Sequence, residues 1–333
     1  MARNSAGRRL ALAGFVLLVP ALVPGWPASP ARADRFPPGN IRIVVPAAPS
    51  TPPDIISRVV AAEMTRLQGW TVFVENRPSA GNIVAGVDVL KQPADGTSIF
   101  AVGMPLMATP SLFANVPFRL DTDFAPLVKV ATSYNVLVVN PSLPAKSVAE
   151  LVALLKQKPD TFTYSSGGFG TPAHLIGEMF KLLNGVRVTH VPYQQFPQAI
   201  ADLVAGVNQY MFITMLPVVD LINAGKLRAL AVTGPERVAA LKDVPTIVEE
   251  GFPNLVVEDW VGYSVKAGTP QEVITELNRA VNAALARPNV RDAFAKLGAR
   301  PDGGTAAEYG NLMKTQSAYW SKVVKDSGIT IQK

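Results

Sequence analysis

Short runs rich in β-branched and aromatic residues alternate with segments of helical periodicity along almost the whole chain. Residues 41–45, 71–74, 97–102, 135–139, 186–191, 209–213 and 229–232 predict strands. Between them lie amphipathic stretches such as 54–67, where Ile55, Val59, Ala62 and Leu67 recur near the helical period. Strands that alternate with helices of this length build βαβ units and mostly parallel sheets, so the fold class is α/β. Three capping boxes mark helix starts independently: Ser147 with Glu150, Thr269 (followed by Pro270) with Glu272, and Thr305 with Glu308.

Two extended stretches break this rhythm. Residues 125–139 form a long β-rich run interrupted only near 131–134, and 255–265 form a second that carries Trp260 and Tyr263. Two such runs predict a chain that crosses twice between domains. Lobe 1 is then residues 34–133 plus 258–333, and lobe 2 is residues 134–257.

The first residues set the compartment. Arg3, Arg8 and Arg9 precede a nearly continuous apolar run, residues 10–23, and Ala31-Arg32-Ala33 supplies a small-x-small site. This predicts a signal peptide over residues 1–33, cleaved before Asp34, and a periplasmic product. The leader holds four arginines and no acid, so cleavage lowers the net charge from +6 to +2. The mature Lys and Arg residues form no runs, which speaks against a nucleic-acid partner. With no cysteine, lipid anchoring, disulfides and thiolate chemistry drop out. No later stretch approaches the 18 or so apolar residues of a membrane helix, and the mature chain is expected to be soluble.

Two loops carry candidate chemistry. Residues 46–54 join the first strand to the first helix and include Ala47, Ser50, Thr51, Pro52 and Pro53. A helix start offers unpaired N–H groups and a positive dipole end to an anion, although every helix needs such a start and a plain connection explains the segment equally. The second loop, residues 164–172, contains Ser165, Ser166, Gly167, Gly168, Gly170 and Thr171 ahead of Pro172. Its glycines admit a ligand close to the backbone and its hydroxyls add donors. The spacing Gly168-x-Gly170-x-x-Ala173 imitates a dinucleotide fingerprint, but no acid follows at about twenty residues to hold a ribose. A neutral, donor-rich cradle of carboxylate size is what survives. The segments 102–107 and 192–196 are further strand-to-helix loops, and in open parallel sheets such loops frame the ligand cleft.

Only His174 and His190 are present, and no serine-hydrolase elbow, zinc motif or phosphate loop appears. No cofactor and no metal are expected. A hydrolase using Ser165 or Ser166 stays open only if a base stands beside one of them.

The ordered segments 41–46 (Ile-Arg-Ile-Val-Val-Pro), 74–78, 95–97, 135–141, 164–167, 190–193, 224–233 and 243–246 make the chain similar to the substrate-binding receptors of tripartite tricarboxylate transporters, the Bug or TctC family. The resemblance runs from Ile41 to the C-terminus. It implies a type II periplasmic-binding-protein fold, two α/β lobes joined by two crossing strands with a ligand cleft between them. It also implies a non-enzymatic, monomeric receptor that closes around a small carboxylate and delivers it to the large and small integral membrane permease subunits. A role in ligand sensing is the alternative. By position the resemblance nominates Ala47, Ser50, Thr51, Ser165, Ser166, Gly168 and Thr171 as ligand-binding, with Tyr193 and Thr214 as further wall residues. Three departures stand out. The usual Gly-Gly of the first loop is Ser50-Thr51, the usual Lys-Gly after Pro-Tyr is Gln194-Gln195, and the usual Asp-Asn is Ile213-Thr214. Loss of that acid implies a solute without an amine.

Overall fold

In a computed structural model, residues 36–329 are described. The leader expected over residues 1–33 lies outside them. The described residues form one compact unit. In chain order its elements are β1 (Ile41–Val45), α1 (Pro52–Gln68), β2 (Val72–Asn76), α2 (Ile83–Leu90), β3 (Ser98–Gly103), α3 (Met104–Leu112) and β4 (Phe124–Val139). They continue with α4 (Val148–Gln157), β5 (Thr163–Ser166), α5 (Pro172–Asn184), β6 (Thr189–Pro192), α6 (Phe196–Val204), β7 (Tyr210–Thr214), α7 (Val219–Asn223) and β8 (Arg228–Val232). The last are β9 (Glu258–Lys266), α8 (Gln271–Leu285), α9 (Pro288–Lys296), β10 (Ala299–Pro301) and α10 (Ala306–Ser327).

β4 belongs to two sheets. Up to Tyr134, which pairs with Glu258, it runs antiparallel to β9 in a first sheet ordered β2-β1-β3-β9-β4. From Asn135, which pairs with Thr214, it joins a second sheet containing β7, β5, β6 and β8. The run is continuous, and the interruption expected at 131–134 appears instead as shifts of register near Val128 and Ala131. The return passage lies just before β9, where the Val257 N–H donates to the Thr233 carbonyl.

Three apolar clusters hold these layers. One lies between the first sheet and α1, α8 and α9, with Ile43, Val60, Tyr263, Leu277 and Phe294 fully buried. A smaller one lies under α6, with Val136, Leu203 and Ile213. The largest is shared by both sheets, since Phe100 and Met104 from the first, Leu137, Tyr164 and Tyr210 from the second, and Trp320 of α10 form one cluster. Burial on this scale, at about 25 cal/mol per Å² of apolar surface, is the main favourable term in folding.

Local signals explain where helices begin. The Ser147 hydroxyl accepts from the Glu150 N–H, and Thr305 with Glu308 forms the full reciprocal box. The box expected at Thr269 does not form: its hydroxyl donates to the Lys266 carbonyl and Pro270 becomes the cap of α8. The strand expected at 186–191 begins only at Thr189, because Val186 and Val188 are buried in the core as the chain leaves α5. Their alternating apolar pattern therefore reflects packing, not pairing.

Candidate functional site: a cleft at the strand crossing

Register brings the loops together. β3 and β4 both run antiparallel to β9, so β3 ends (Gly103 opposite Val261) at the level where β4 approaches the second sheet. β7 runs antiparallel to β4 and ends at Thr214 opposite Asn135, with β5 parallel beside it. The carboxyl ends of β1 and β3 thus face those of β5 and β7 across the crossing strands. Ligands of open α/β sheets bind at such strand ends. The two sides also touch: a Cβ on Gly170 would lie 3.6 Å from Leu112 and 3.8 Å from Phe113, and Phe113 itself packs on Gly81.

The loop after β1 is largely self-satisfied. Ser50 adopts a left-handed φ of 66° and its N–H donates to Asp54 Oδ2 at 2.9 Å. The Thr51 hydroxyl donates to the Ala48 carbonyl at 2.7 Å, and the Ala47 carbonyl accepts from Asn76 Nδ2 at 3.0 Å. Pro52 and Pro53 occupy the first two helical positions, where neither has an N–H to offer. Asp54 is buried, which disfavours its charge, yet Arg58, Asn76 and the Ser50 N–H together hold its carboxyl below the usual range. The positive end of α1 therefore already has an anion of its own, and few of the donors expected there remain free.

The loop after β5 is built around one carbonyl. Gly168 O accepts from the hydroxyl of Thr171 at 2.7 Å, and the Gly168 N–H donates to Ser166 Oγ at 3.1 Å. Gly168 and Gly170 have φ of 114° and 77°, a region that favours glycine. Ser166 Oγ is 2.6 Å from His190 Nε2, and the Tyr193 N–H donates to the Ser166 carbonyl at 2.9 Å. Ser165, one residue earlier on the strand, points to the opposite face, where its buried hydroxyl has no partner. The two serine hydroxyls are therefore not side by side, and Ser166 orders the turn.

His174 accepts from the Gly170 N–H at Nδ1, 3.1 Å, and its ring lies 4.4 Å from that of His190. Tyr164 also stacks on His190, at 4.8 Å between ring centroids, while Phe169 meets both histidines edge-on. Burial pushes His174 down to about 4 and His190 to about 3, so both are neutral near pH 7. Tyr193 directs its hydroxyl away, donating to Asp202 and accepting from Asn208, each at 2.7 Å. Thr214 ends β7 beside Asn135, whose buried side-chain N–H₂ has no partner among the described residues.

Two residues at this crossing were not singled out from sequence. One is Asn135. The other is Asp259 on β9, whose carboxyl is raised to about 7 by burial. A period-2 reading of Asp259, Val261, Tyr263 and Val265 would have exposed it as the one acid on an apolar strand face.

The sequence pattern of the family described as tripartite tricarboxylate transporter family receptor matches residues 56–329. The chain belongs to that family. BugT of Bordetella pertussis is 32% identical over 307 residues, 92% of this chain and 94% of BugT. Among solved structures, R. palustris Rpa4515 with adipate superposes with a TM-score of 0.80 at 31% identity, covering 89% of this chain and 100% of that one. MatC from Rhodopseudomonas palustris, with bound malate, gives 0.78 at 28% identity over 87% of this chain and 100% of that one. The fold is accordingly the two-lobed α/β fold of periplasmic solute-binding proteins, and carboxylates occupy these two family neighbours. Among the described residues no helix is long and apolar enough to cross a membrane.

Proposed function

We propose that this chain is a periplasmic receptor that binds a small carboxylate between its lobes, closes around it and delivers it to the large and small subunits of a membrane permease. The observation that carries the proposal is the convergence of strand carboxyl ends from both sheets on the crossing of β4 and β9. The lobes divide as residues 34–133 with 258–333, and 134–257, and the hinge comprises 129–135 and 255–263. The carboxylate rests at the Gly168–Thr171 turn on the N–H groups that open α5, the turn's own Gly168, Gly170 and Thr171 donors being engaged within it, with Thr214 beside the turn and the first loop (Ala47, Ser50, Thr51) as the facing wall. Each hydrogen bond to an ionised group contributes about 1.5–3 kcal/mol. Closure requires contacts to both lobes, because only differential affinity shifts the populations.

The chain is proposed to do no chemistry on its ligand. The Ser166–His190 pair has the spacing of a nucleophile and base, but an imidazole held at about pKa 3 takes up almost no proton at neutral pH. Nor does a carboxylate orient it, since Glu178 is engaged by Tyr164 at 2.6 Å and by Lys181 at 2.8 Å.

Thermal unfolding in the presence of mono-, di- and tricarboxylates tests the receptor reading. A true ligand at about 100 times its Kd adds roughly 2.7 kcal/mol, raising Tm by several degrees in a chain of this size. If no carboxylate shifts Tm, or if product accumulates on incubation, the proposal falls.

A further inference from the structure

β9 alternates its side chains between the two faces of the first sheet. Ser264 contacts the Met313 sulfur of α10, and a Cβ on Gly262 would strike the Tyr309 ring of the same helix. Asp259, Val261, Tyr263 and Val265 point the other way, and the last three belong to the core under α1, α8 and α9. Asp259 is the one acid on that face.

Register locates it in the cleft. β3 ends at Gly103 opposite Val261, so the strand that covers Val261 is gone by Asp259, whose remaining neighbour is Ser133 of β4. On the same face Tyr263 lies beside Ser57 of α1. Four residues of strand cover about 13 Å, and the six helical residues from Ser57 back to Thr51 cover about 9 Å. Asp259 therefore stands at the level of the first turn of α1 and the loop before it.

The carboxyl is part-buried there, and no side chain among the described residues donates to it. The basic side chains Lys129 on β4 and Arg300 on β10 are committed elsewhere: Lys129 to Glu258 and Asp302, and Arg300 to Asp302 and Tyr134. Burial alone accounts for its raised pKa, with no cation contributing. A plain carboxylate in this cleft would meet a second unpaired acid in a site whose proposed wall has no basic residue.

We propose that Asp259 is a specificity-determining residue that binds a cationic nitrogen on the solute, so that the ligand is a small zwitterion whose carboxylate rests on the Gly-rich turn. This rests on the receptor reading. It replaces the expectation of a solute without an amine, which followed from Ile213 and Thr214 standing where an acid is usual; in this chain the acid is supplied by β9. A zwitterion brings no net charge into the cleft and satisfies both the neutral donors and the lone carboxylate.

The test is calorimetric titration of the purified protein with plain monocarboxylates of two to six carbons, each paired with its α-amino and ω-amino counterparts. At least one amino compound is expected to bind tenfold or more tighter than its plain partner. Asp259→Asn should bring that ratio to about one, weakening the amino compound and strengthening the plain carboxylate that no longer meets a like charge, and Asp259→Glu should keep a preference for the amino compound. Unliganded circular dichroism establishes that both variants fold. Plain carboxylates binding as well as their amino partners, or a preference that survives Asp259→Asn, overturns the assignment and leaves the receptor reading standing. If neither series binds, the receptor reading falls as well.

Discussion

Acidification should reveal the buried histidines and Asp259 as opposing contributions to stability. An unfolded histidine takes up its proton near pH 6.5, whereas His174 and His190 in the fold wait until about 4 and about 3. Between those values the unfolded chain binds more protons, so stability falls as pH falls. Going from pH 7.5 to 5 costs about 2 kcal/mol for each histidine at 1.36 kcal/mol per unit, or roughly 4 kcal/mol together. Asp259 acts with the opposite sign. Its folded pKa of about 7 lies above the ordinary carboxyl value, so the folded state binds the extra proton and gains about 2.5 kcal/mol over the same interval. Carboxylates held low in the fold, such as Asp54 and Glu63, contribute only as pH approaches 4 and below. The wild type should therefore lose only about 1.5 kcal/mol between pH 7.5 and 5, and Asp259→Asn about 4 kcal/mol. Urea unfolding at pH 7.5, 6.5, 5.8 and 5 measures both curves. Parallel curves for the two proteins would show that Asp259 is not the group described, and a flat Asp259→Asn curve would refute the buried, neutral histidines.

Tyr164→Phe removes the hydroxyl that donates to Glu178 in the shared core. With Glu178 still paired to Lys181, a loss of about 1.5–3 kcal/mol is expected by denaturant titration, and no loss would mean that the bond is not formed in solution. Gly168→Ala forces a side chain onto a φ of 114°, which costs on the order of 1–3 kcal/mol locally. It should weaken carboxylate binding by tenfold or more in calorimetry, and undiminished affinity would remove this turn from the site.

What the chain discloses on its own differs by level. Strand β1 and the starts of α4 and α10 are legible because local physics decides them: β-branched runs, and hydroxyls that accept from the N–H three residues on. The strand expected from Val186 and the box expected at Thr269 fail for a tertiary and a competing local reason, core packing and a nearer carbonyl. The site is less legible than the fold, because hydroxyl-rich composition does not reveal who already accepts from whom. Ser166 and Thr171 carry the expected chemistry but direct it at His190 and Gly168, and Ser50 gives its N–H to Asp54. Adjacent residues of a strand point to opposite faces, a rule that already separates Ser165 from Ser166 in the sequence.

The shared core bears on how such a receptor can open. Phe100, Leu137, Tyr164 and Trp320 belong to one continuous cluster, and α10 reaches both halves, its Ser317 touching the Met107 sulfur at 3.3 Å and its Tyr319 the Met179 sulfur at 3.2 Å. Separating the lobes there would expose apolar surface at about 25 cal/mol per Å², and the lobes also meet where Gly170 faces Leu112 and Phe113 and where Gly298 faces Met215. An opening that pivots about the α10 side would part the loops while leaving that core closed. Such a pivot changes the gap between the Gly168 turn and β9 more than any distance inside either lobe. A solute that spans that gap, carboxylate on the turn and cation on Asp259, gains its second contact only in the closed state, which is the condition for a ligand to drive closure.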